Sequence, residues 1–181
     1  MRKLGKHAFM MHSANISPLR MGVLAVLALF TAYVGHGTLE AAPIFFETSE
    51  ITVITVHGRF NFAVEVAKTD AQRSQGLQYR TEMAGDAGML FDFGRVQAVA
   101  MWMKNTFIPL DMVFISHDGH VVGIAENTTP ESLEIIQSGK PVLGVLEVRA
   151  GTAARLGITK GSLVMHPMFA ATPEAGKAQD K

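Results

Sequence analysis

The sequence contains no cysteine among its 181 residues. This absence excludes a disulfide framework, a thiol nucleophile, a Cys-ligated zinc site and a lipid-modified N-terminal cysteine. The chain also lacks Gly-x-Gly-x-x-Gly, Gly-x-x-x-x-Gly-Lys and Gly-x-Ser-x-Gly motifs, the signatures of dinucleotide binding, phosphate binding and serine hydrolases. From these absences we expect no bound cofactor and no metal site, and we assign a catalytic role to no residue.

Acidic residues are missing from the N-terminal part of the chain, because residues 1–39 contain neither Asp nor Glu. Four basic residues in this part precede the uncharged run 21–34. A basic region, a short apolar segment and then small residues are typical of a secretory signal. We expect a cleaved signal peptide at 1–41 and a periplasmic or secreted protein. The alternative is an uncleaved anchor at 21–39 in the inner membrane, the only membrane association that the sequence indicates.

Basic residues are also in the minority once residues 1–41 are removed. The remaining chain has 12 Lys or Arg and 15 Asp or Glu, a net charge of −3. Nucleic-acid binding requires a clustered basic surface, so this balance argues against such a partner. The expected partner is an unidentified envelope ligand or protein.

Long apolar helices are absent after residue 41, and short β-rich runs take their place. The predicted helices are too few to cover both faces of a parallel sheet. We predict a mainly β (α+β) single domain at 51–168, with a linker at 42–50 and a disordered tail at 169–181. About eight short, mostly antiparallel strands form a partly closed, barrel-like sheet with two or three short helices.

Local signals place several strands. Asp118-Gly119 separates two β-rich runs and predicts a hairpin of 110–116 with 120–126. The runs 98–104 and 142–149 are predicted as further strands.

Two short helices are predicted from their caps. Thr69 and Gln72 form a capping box, and the helix that follows should end at Gly76. Residues 152–156 repeat this pattern, with Thr152 as the cap.

The stretch 101–112 contains the single tryptophan, Trp102. Alternation along the predicted strand places Met101 and Met103 on one face and Trp102 and Lys104 on the other. Trp102 could form an exposed aromatic platform for a sugar or peptide, but the sequence favours a tryptophan buried beneath a short helix.

Conspicuous motifs occur in a fixed order from residue 51 to residue 168. They are Glu65-Val66-Ala67, Arg73, Gly76-Leu77-Gln78-Tyr79-Arg80, Gly88-Met89-Leu90-Phe91, Met101-Trp102-Met103-Lys104-Asn105-Thr106, Pro109-Leu110-Asp111, Val145-Leu146-Glu147-Val148, Gly151 and Gly161. Together they resemble domain-of-unknown-function family 192 (DUF192). The resemblance implies a small, mainly β single domain that is often exported, and it implies no activity.

Polar residues of these motifs lie among apolar neighbours and are the candidate site residues. They are Glu65, Arg73, Arg80, Trp102, Lys104, Asn105, Asp111 and Glu147. Isolated carboxylates in such positions are costly unless they are paired. One interpretation is an ion-pair network that fixes the strand order. The other is a polar ligand groove near the Trp-Met-Lys-Asn stretch.

The leading functional hypothesis is a non-enzymatic binding or interaction module of the cell envelope. A first alternative is a carboxylate-based hydrolase of an envelope saccharide, since paired acids can serve as acid and base. A second is a Met-rich copper-binding protein, because thioethers suit Cu(I). Its ligands would come from Met89, Met101, Met103 and Met112, or from 165–168, although methionine more often fills irregular cores.

Overall fold

The computed structural model describes residues 43–169. The predicted signal peptide at 1–41, the alternative anchor and residues 170–181 of the predicted tail lie outside the described residues. Neither of the two short α-helices in the described part has the length and apolar character that a membrane span requires.

Nine strands, two α-helices and one 3₁₀ turn make up the described domain. The strands are β1 (Glu47–Thr55), β2 (Gly58–Ala67), β3 (Ala87–Gln97), β4 (Ala100–Met101), β5 (Leu110–Ile115), β6 (Val121–Ala125), β7 (Ile136–Gln137), β8 (Val142–Arg149) and β9 (Leu163–Met165). The helices are α1 (Asp70–Gln75) and α2 (Thr152–Leu156), and the 3₁₀ turn is Pro167–Phe169.

Seven strands form one curled sheet in the order β6-β5-β8-β3-β2-β1-β9, while β4 and β7 form a separate pair. Only β2 and β3 are parallel, and α1 lies in the connection between them. All other neighbours are antiparallel. The predicted mainly β single domain, with mostly antiparallel strands in a partly closed sheet, is therefore confirmed.

The two edges of the curled sheet approach each other at β6 and β9. The amide of Val121 donates to the carbonyl of Ser162 (2.9 Å), and the amide of Gly161 donates to the carbonyl of Val121 (2.8 Å). The amide of Val164 donates to the carbonyl of Gly119 (2.8 Å). These bonds satisfy backbone groups that an open sheet edge would leave unpaired.

Each face of the sheet has its own apolar core. The inner face receives buried side chains from all seven strands, including Leu90 and Leu146, and α2 adds Ala153 and Leu156 to it. The outer face contains Met89, Phe91, Met112 and Val145. Residues 99–108 cover this outer face with Val99, Met103 and Ile108. Alternation along β8 explains the division, because successive side chains point to opposite faces.

The capping signals are correct for α1 and wrong for α2. The Thr69 hydroxyl accepts from the amide of Gln72, whose side chain accepts in return, and α1 ends at Gly76. For α2 the cap is Gly151, which has a φ of 80° and no side-chain cap bond. The carboxylate of Asp111 supplies the missing acceptor to the amide of Ala153 (2.8 Å), and Thr152 is itself buried.

The predicted strand 98–104 is wrong in most of its length, since only Ala100–Met101 is a strand, paired with β7. Beyond it the backbone turns, and the amide of Met103 donates to the carbonyl of Ser132 (3.1 Å). The predicted alternation is nevertheless observed, because Val99 and Met103 are buried whereas Ala100, Trp102 and Lys104 are exposed.

Candidate functional site

A cleft of about 320 Å³ opens on the outer face of the sheet. Its walls come from α1 and the turn after it, from β3, and from β4 and the residues that follow, while Glu147 of β8 also lines it. We call this space the Glu147 cleft. Leu77, Phe91 and Met101 provide apolar lining, and Trp102, Lys104 and Arg73 contribute polar or amphipathic groups.

The strand register determines where Glu147 lies. β8 runs between β3 and β5, so Glu147 is opposite Met89 on one side and Met112 on the other. Both methionines are fully buried, and Glu147 is 4% exposed. It is consequently an acid on an apolar sheet surface, at the base of the cleft.

The side chain of Glu147 forms no hydrogen bond or ion pair with another residue of the described domain, and its oxygens keep contact with the open space of the cleft. Burial raises the pKa of its carboxyl group from 4.5 to about 8, because desolvation disfavours the charged form. The group is therefore mostly protonated at pH 7. A protonated carboxyl group can donate one hydrogen bond and accept others, and here a molecule in the cleft is the available partner.

Trp102 and Lys104 lie side by side at the mouth of the cleft. The Nζ atom of Lys104 is 5.7 Å from the centre of the Trp102 ring, within the range of a cation–π contact. Trp102 is 50% exposed, so the prediction that a helix buries it is wrong. The physical reason is that α1 buries no residue of its own, and alternation along residues 99–103 turns Trp102 away from the outer core in which Val99 and Met103 are buried.

Arg73 holds α1 against β3. It forms an ion pair with the exposed Asp70 and donates to the backbone carbonyls of Lys68 and Asp92. Its guanidinium group also lies 5.7 Å from the centre of the Phe93 ring. Arg73 thus borders the cleft, but its hydrogen-bonding capacity is largely used within the protein.

Glu65, Arg80 and Asn105 organise the neighbourhood of the cleft without lining it. Glu65 and Arg80 form a half-buried ion pair between β2 and the turn after α1. Asn105, with a φ of 55°, donates to Gln78 (3.1 Å) and to the Tyr79 hydroxyl (2.9 Å), and its carbonyl accepts from the amide of Tyr79 (2.7 Å). This network positions the turn after α1, which forms part of the cleft wall.

The contacts of Asp111 are structural, because they hold parts of the fold together. It is completely buried, and its two carboxylate oxygens accept from the amides of Asn127 and Ala153, each at 2.8 Å. These bonds join β5 to the turn after β6 and to the first turn of α2. The cleft does not include Asp111.

The eight candidates therefore separate into two groups. Arg73, Trp102, Lys104 and Glu147 line the cleft, whereas the other four lie outside it. Glu65 and Arg80 form an ion pair, and Glu147 and Lys104 line one cleft, so the ligand groove stays a prediction for the latter two.

Sequence reasoning missed the apolar lining from Leu77, Phe91, Phe93 and Met101, and the role of Gly76 beside it. A Cβ atom at Gly76 would lie 3.2 Å from the Phe91 ring, so this helix end also allows the aromatic wall to approach. The sequence pattern around Gly76 predicts only the end of the helix.

The methionines proposed as copper ligands are mainly core residues. Met89, Met103 and Met112 are fully buried, and the Met103 sulfur accepts from the Thr128 hydroxyl at 3.1 Å. Within residues 43–169, no three His, Asp or Glu side chains are grouped to hold a metal ion. The geometry favours packing as the role of the buried methionines.

These features define a small domain with one curled seven-stranded β-sheet and a cleft that contains a single buried acid. The family profile of DUF192, described as "Uncharacterized ACR", matches residues 52–166, and the chain belongs to this family. A comparison with curated proteins found no match.

Two solved structures are similar to the chain. A protein of Sinorhizobium meliloti 1021, described as a "putative transcription regulator", is 47% identical with a TM-score of 0.66; the match covers 68% of this chain and 96% of the other. A protein of unknown function from Novosphingobium aromaticivorans DSM 12444 is 37% identical with a TM-score of 0.65. That match covers 70% of this chain and 95% of the other.

Proposed function

We propose that this protein is an exported binding module of the cell envelope and that the Glu147 cleft holds a small ligand. The observation that carries the proposal is a buried carboxyl group without a protein partner at the base of an open cleft. A ligand in the cleft would supply the hydrogen-bond partner that the protein does not provide to this carboxyl group. The cleft volume of about 320 Å³ lies at the small end of ligand sites.

Filling the cleft tests this proposal. Ala100 is exposed and lines the cleft, so Ala100→Phe should block the space without disturbing the core. The measurement is a thermal-shift screen of the purified protein against saccharides, cell-wall fragments and small organic molecules. Because a ligand of the native state raises the unfolding midpoint, we expect at least one compound to raise it in the wild-type protein only.

The matched control is Ala98→Phe, since Ala98 is also exposed but does not line the cleft. It should retain the wild-type response to the same compound. An equal midpoint shift in the Ala100→Phe variant, or no response to any compound, would contradict binding in the Glu147 cleft.

Export is the second component of the proposal and rests on the basic, then apolar, N-terminal sequence. Cell fractionation followed by N-terminal sequencing tests it. We expect the protein in the periplasm or the medium, beginning at residue 42 or 43. Recovery from the inner membrane with the N-terminal segment intact would support the anchor, and a cytoplasmic protein that begins at Met1 would refute export.

The charge of the described domain supports a partner other than nucleic acid. Residues 43–169 include 10 Lys or Arg and 13 Asp or Glu, a net charge of −3. The description of the Sinorhizobium relative suggests transcriptional regulation, but DNA binding depends on a clustered basic surface that neutralises phosphates. We therefore favour an envelope ligand or protein as partner.

The cleft geometry favours binding over carboxylate-based hydrolysis. The raised pKa of Glu147 would suit a general acid, but glycoside hydrolysis uses a second carboxylate that faces the same bond. The other acid that lines the cleft is Asp70, whose side chain is 98% exposed and paired with Arg73. A site with one buried acid is better suited to holding a ligand.

A further inference from the structure

The charged side chains around the Glu147 cleft leave an excess of positive charge when Glu147 is protonated. Asp70 and Arg73 of α1 offset each other as an ion pair. Lys104, from the segment after β4, forms no ion pair within the described residues. The strands beside Glu147 contribute the apolar Met89, Phe91 and Met112 to this face, so a single positive charge remains when Glu147 is protonated.

The base of the cleft favours a ligand group that accepts a hydrogen bond. Since no protein group accepts a hydrogen bond from Glu147, a neutral oxygen of a ligand could accept its proton. A cationic group placed here would first have to displace that proton. Leu77, Phe91 and Met101 line the same cleft, and this apolar lining suits a hydrocarbon body.

From this arrangement, and resting on the proposed binding function, we infer that the ligand is a small organic anion. Its anionic group, such as a carboxylate, pairs with Lys104 at the mouth of the cleft. A carbonyl or hydroxyl oxygen of the same molecule accepts a hydrogen bond from Glu147 at the base. Its apolar part contacts the Phe91 and Met101 side chains.

Matched probes test the charge preference. Each set consists of three compounds that share an acetyl-bearing body and differ at the other end, which is a carboxylate, a primary amide or an amine. One such set is 4-acetylbenzoate, 4-acetylbenzamide and 4-acetylbenzylamine. Binding is measured by isothermal titration calorimetry with the purified protein at pH 7, and site binding is defined by its loss in the Ala100→Phe variant. We expect the carboxylates to bind at least tenfold more tightly than the amides, and the amines to bind most weakly.

Two substitutions connect this preference to particular residues. Lys104→Met should remove the advantage of the carboxylate over the amide, whereas Lys160→Met, at an exposed lysine outside the cleft, should retain it. Raising the pH from 7 to 9 should weaken carboxylate binding roughly tenfold, because ionised Glu147 can no longer donate and repels the ligand. Glu147→Gln keeps a donor that does not ionise and should abolish this pH dependence.

Several results would contradict the inference that the ligand is an anion. If amines or amides bind at the cleft as tightly as carboxylates, or if binding strengthens between pH 7 and 9, the anion inference is wrong and the binding function stands. If none of these probes binds at the cleft, the inference also fails. The broader compound screen with Ala100→Phe then decides the proposed function independently.

Discussion

At the scale of single residues, Glu147 differs from Asp111 and Glu65 because its surroundings do least to stabilise a negative charge. Asp111 is equally buried, but two amides donate to its carboxylate, and Glu65 has Arg80 as a partner. Glu147 has neither kind of compensation, and its protonation is the remaining means of avoiding a buried charge. Folding and proton uptake are therefore coupled at this residue.

This coupling predicts how stability depends on pH. The pKa of Glu147 is about 8 in the folded protein against a reference value of 4.5, so the folded state binds the proton more tightly. Stability is unaffected by this group below about pH 4.5, decreases as the pH rises, and is lowest above about pH 8. We expect the free energy of unfolding of the wild-type protein, relative to Glu147→Gln, to decrease by roughly 3 kcal/mol between pH 5 and pH 8.

Urea denaturation of both proteins at pH 5, 6, 7 and 8 measures this difference, and contributions from other titrating groups cancel in the comparison. Glu82→Gln is the control, because Glu82 is exposed and lies outside the cleft. A wild-type protein that follows Glu147→Gln in parallel across this range would show that burial does not raise the pKa of Glu147.

At the scale of helices and strands, local signals predicted those elements whose partners are close in sequence. The hairpin of β5 and β6 around Asp118-Gly119 and the capping box of α1 are observed close to their predicted positions. β8 is observed with its predicted bounds, because its apolar run is framed by Pro141 and by Arg149. In these cases the residues that decide the structure lie within the element itself.

Elements that depend on distant partners were predicted less well. β1 begins at Glu47, inside the predicted linker 42–50, because Glu47–Glu50 pair with Ala63–Val66 of β2. β7 was not predicted, since its two residues are defined only by pairing with β4. The acceptor for the amide of Ala153 in the first turn of α2 comes from Asp111, more than forty residues away, and the sequence pattern pointed to Thr152 instead.

The candidate site was predictable in composition but not in arrangement. The motifs identified Glu147, Lys104 and Trp102 as residues that require an explanation. Sequence alone could not decide which acids have partners, because Arg80 could equally have paired with Glu147 instead of Glu65. The strand register places Glu65 and Glu147 on either side of Met89 on the same face, so the choice depends on the turn after α1, which places Arg80 beside Glu65.

At the scale of the whole molecule, closure of the sheet connects the hairpin of β5 and β6 with β9 near the C-terminal end of the described domain. Gly119 is at the centre of this closure. It is buried, has a φ of 84°, and its carbonyl accepts from the amide of Val164. A Cβ atom at this position would lie 2.5 Å from the Val164 carbonyl oxygen, too close for the two strands to keep their present distance.

Gly119→Ala should therefore loosen the closure as well as strain the backbone. The suitable comparison is Gly94→Ala, because Gly94 also has a positive φ of 69° but has no atom within 4 Å of the position of a Cβ. Backbone strain alone should cost about 1–2 kcal/mol in each variant. We expect Gly119→Ala to lose at least about 2 kcal/mol more in urea denaturation, with faster hydrogen exchange at the amides of Val121 and Val164. If both variants lose the same stability and these two amides keep their protection, the contact between Gly119 and Val164 does not contribute to the stability of the domain, and the seven strands are held by their sequential pairing alone.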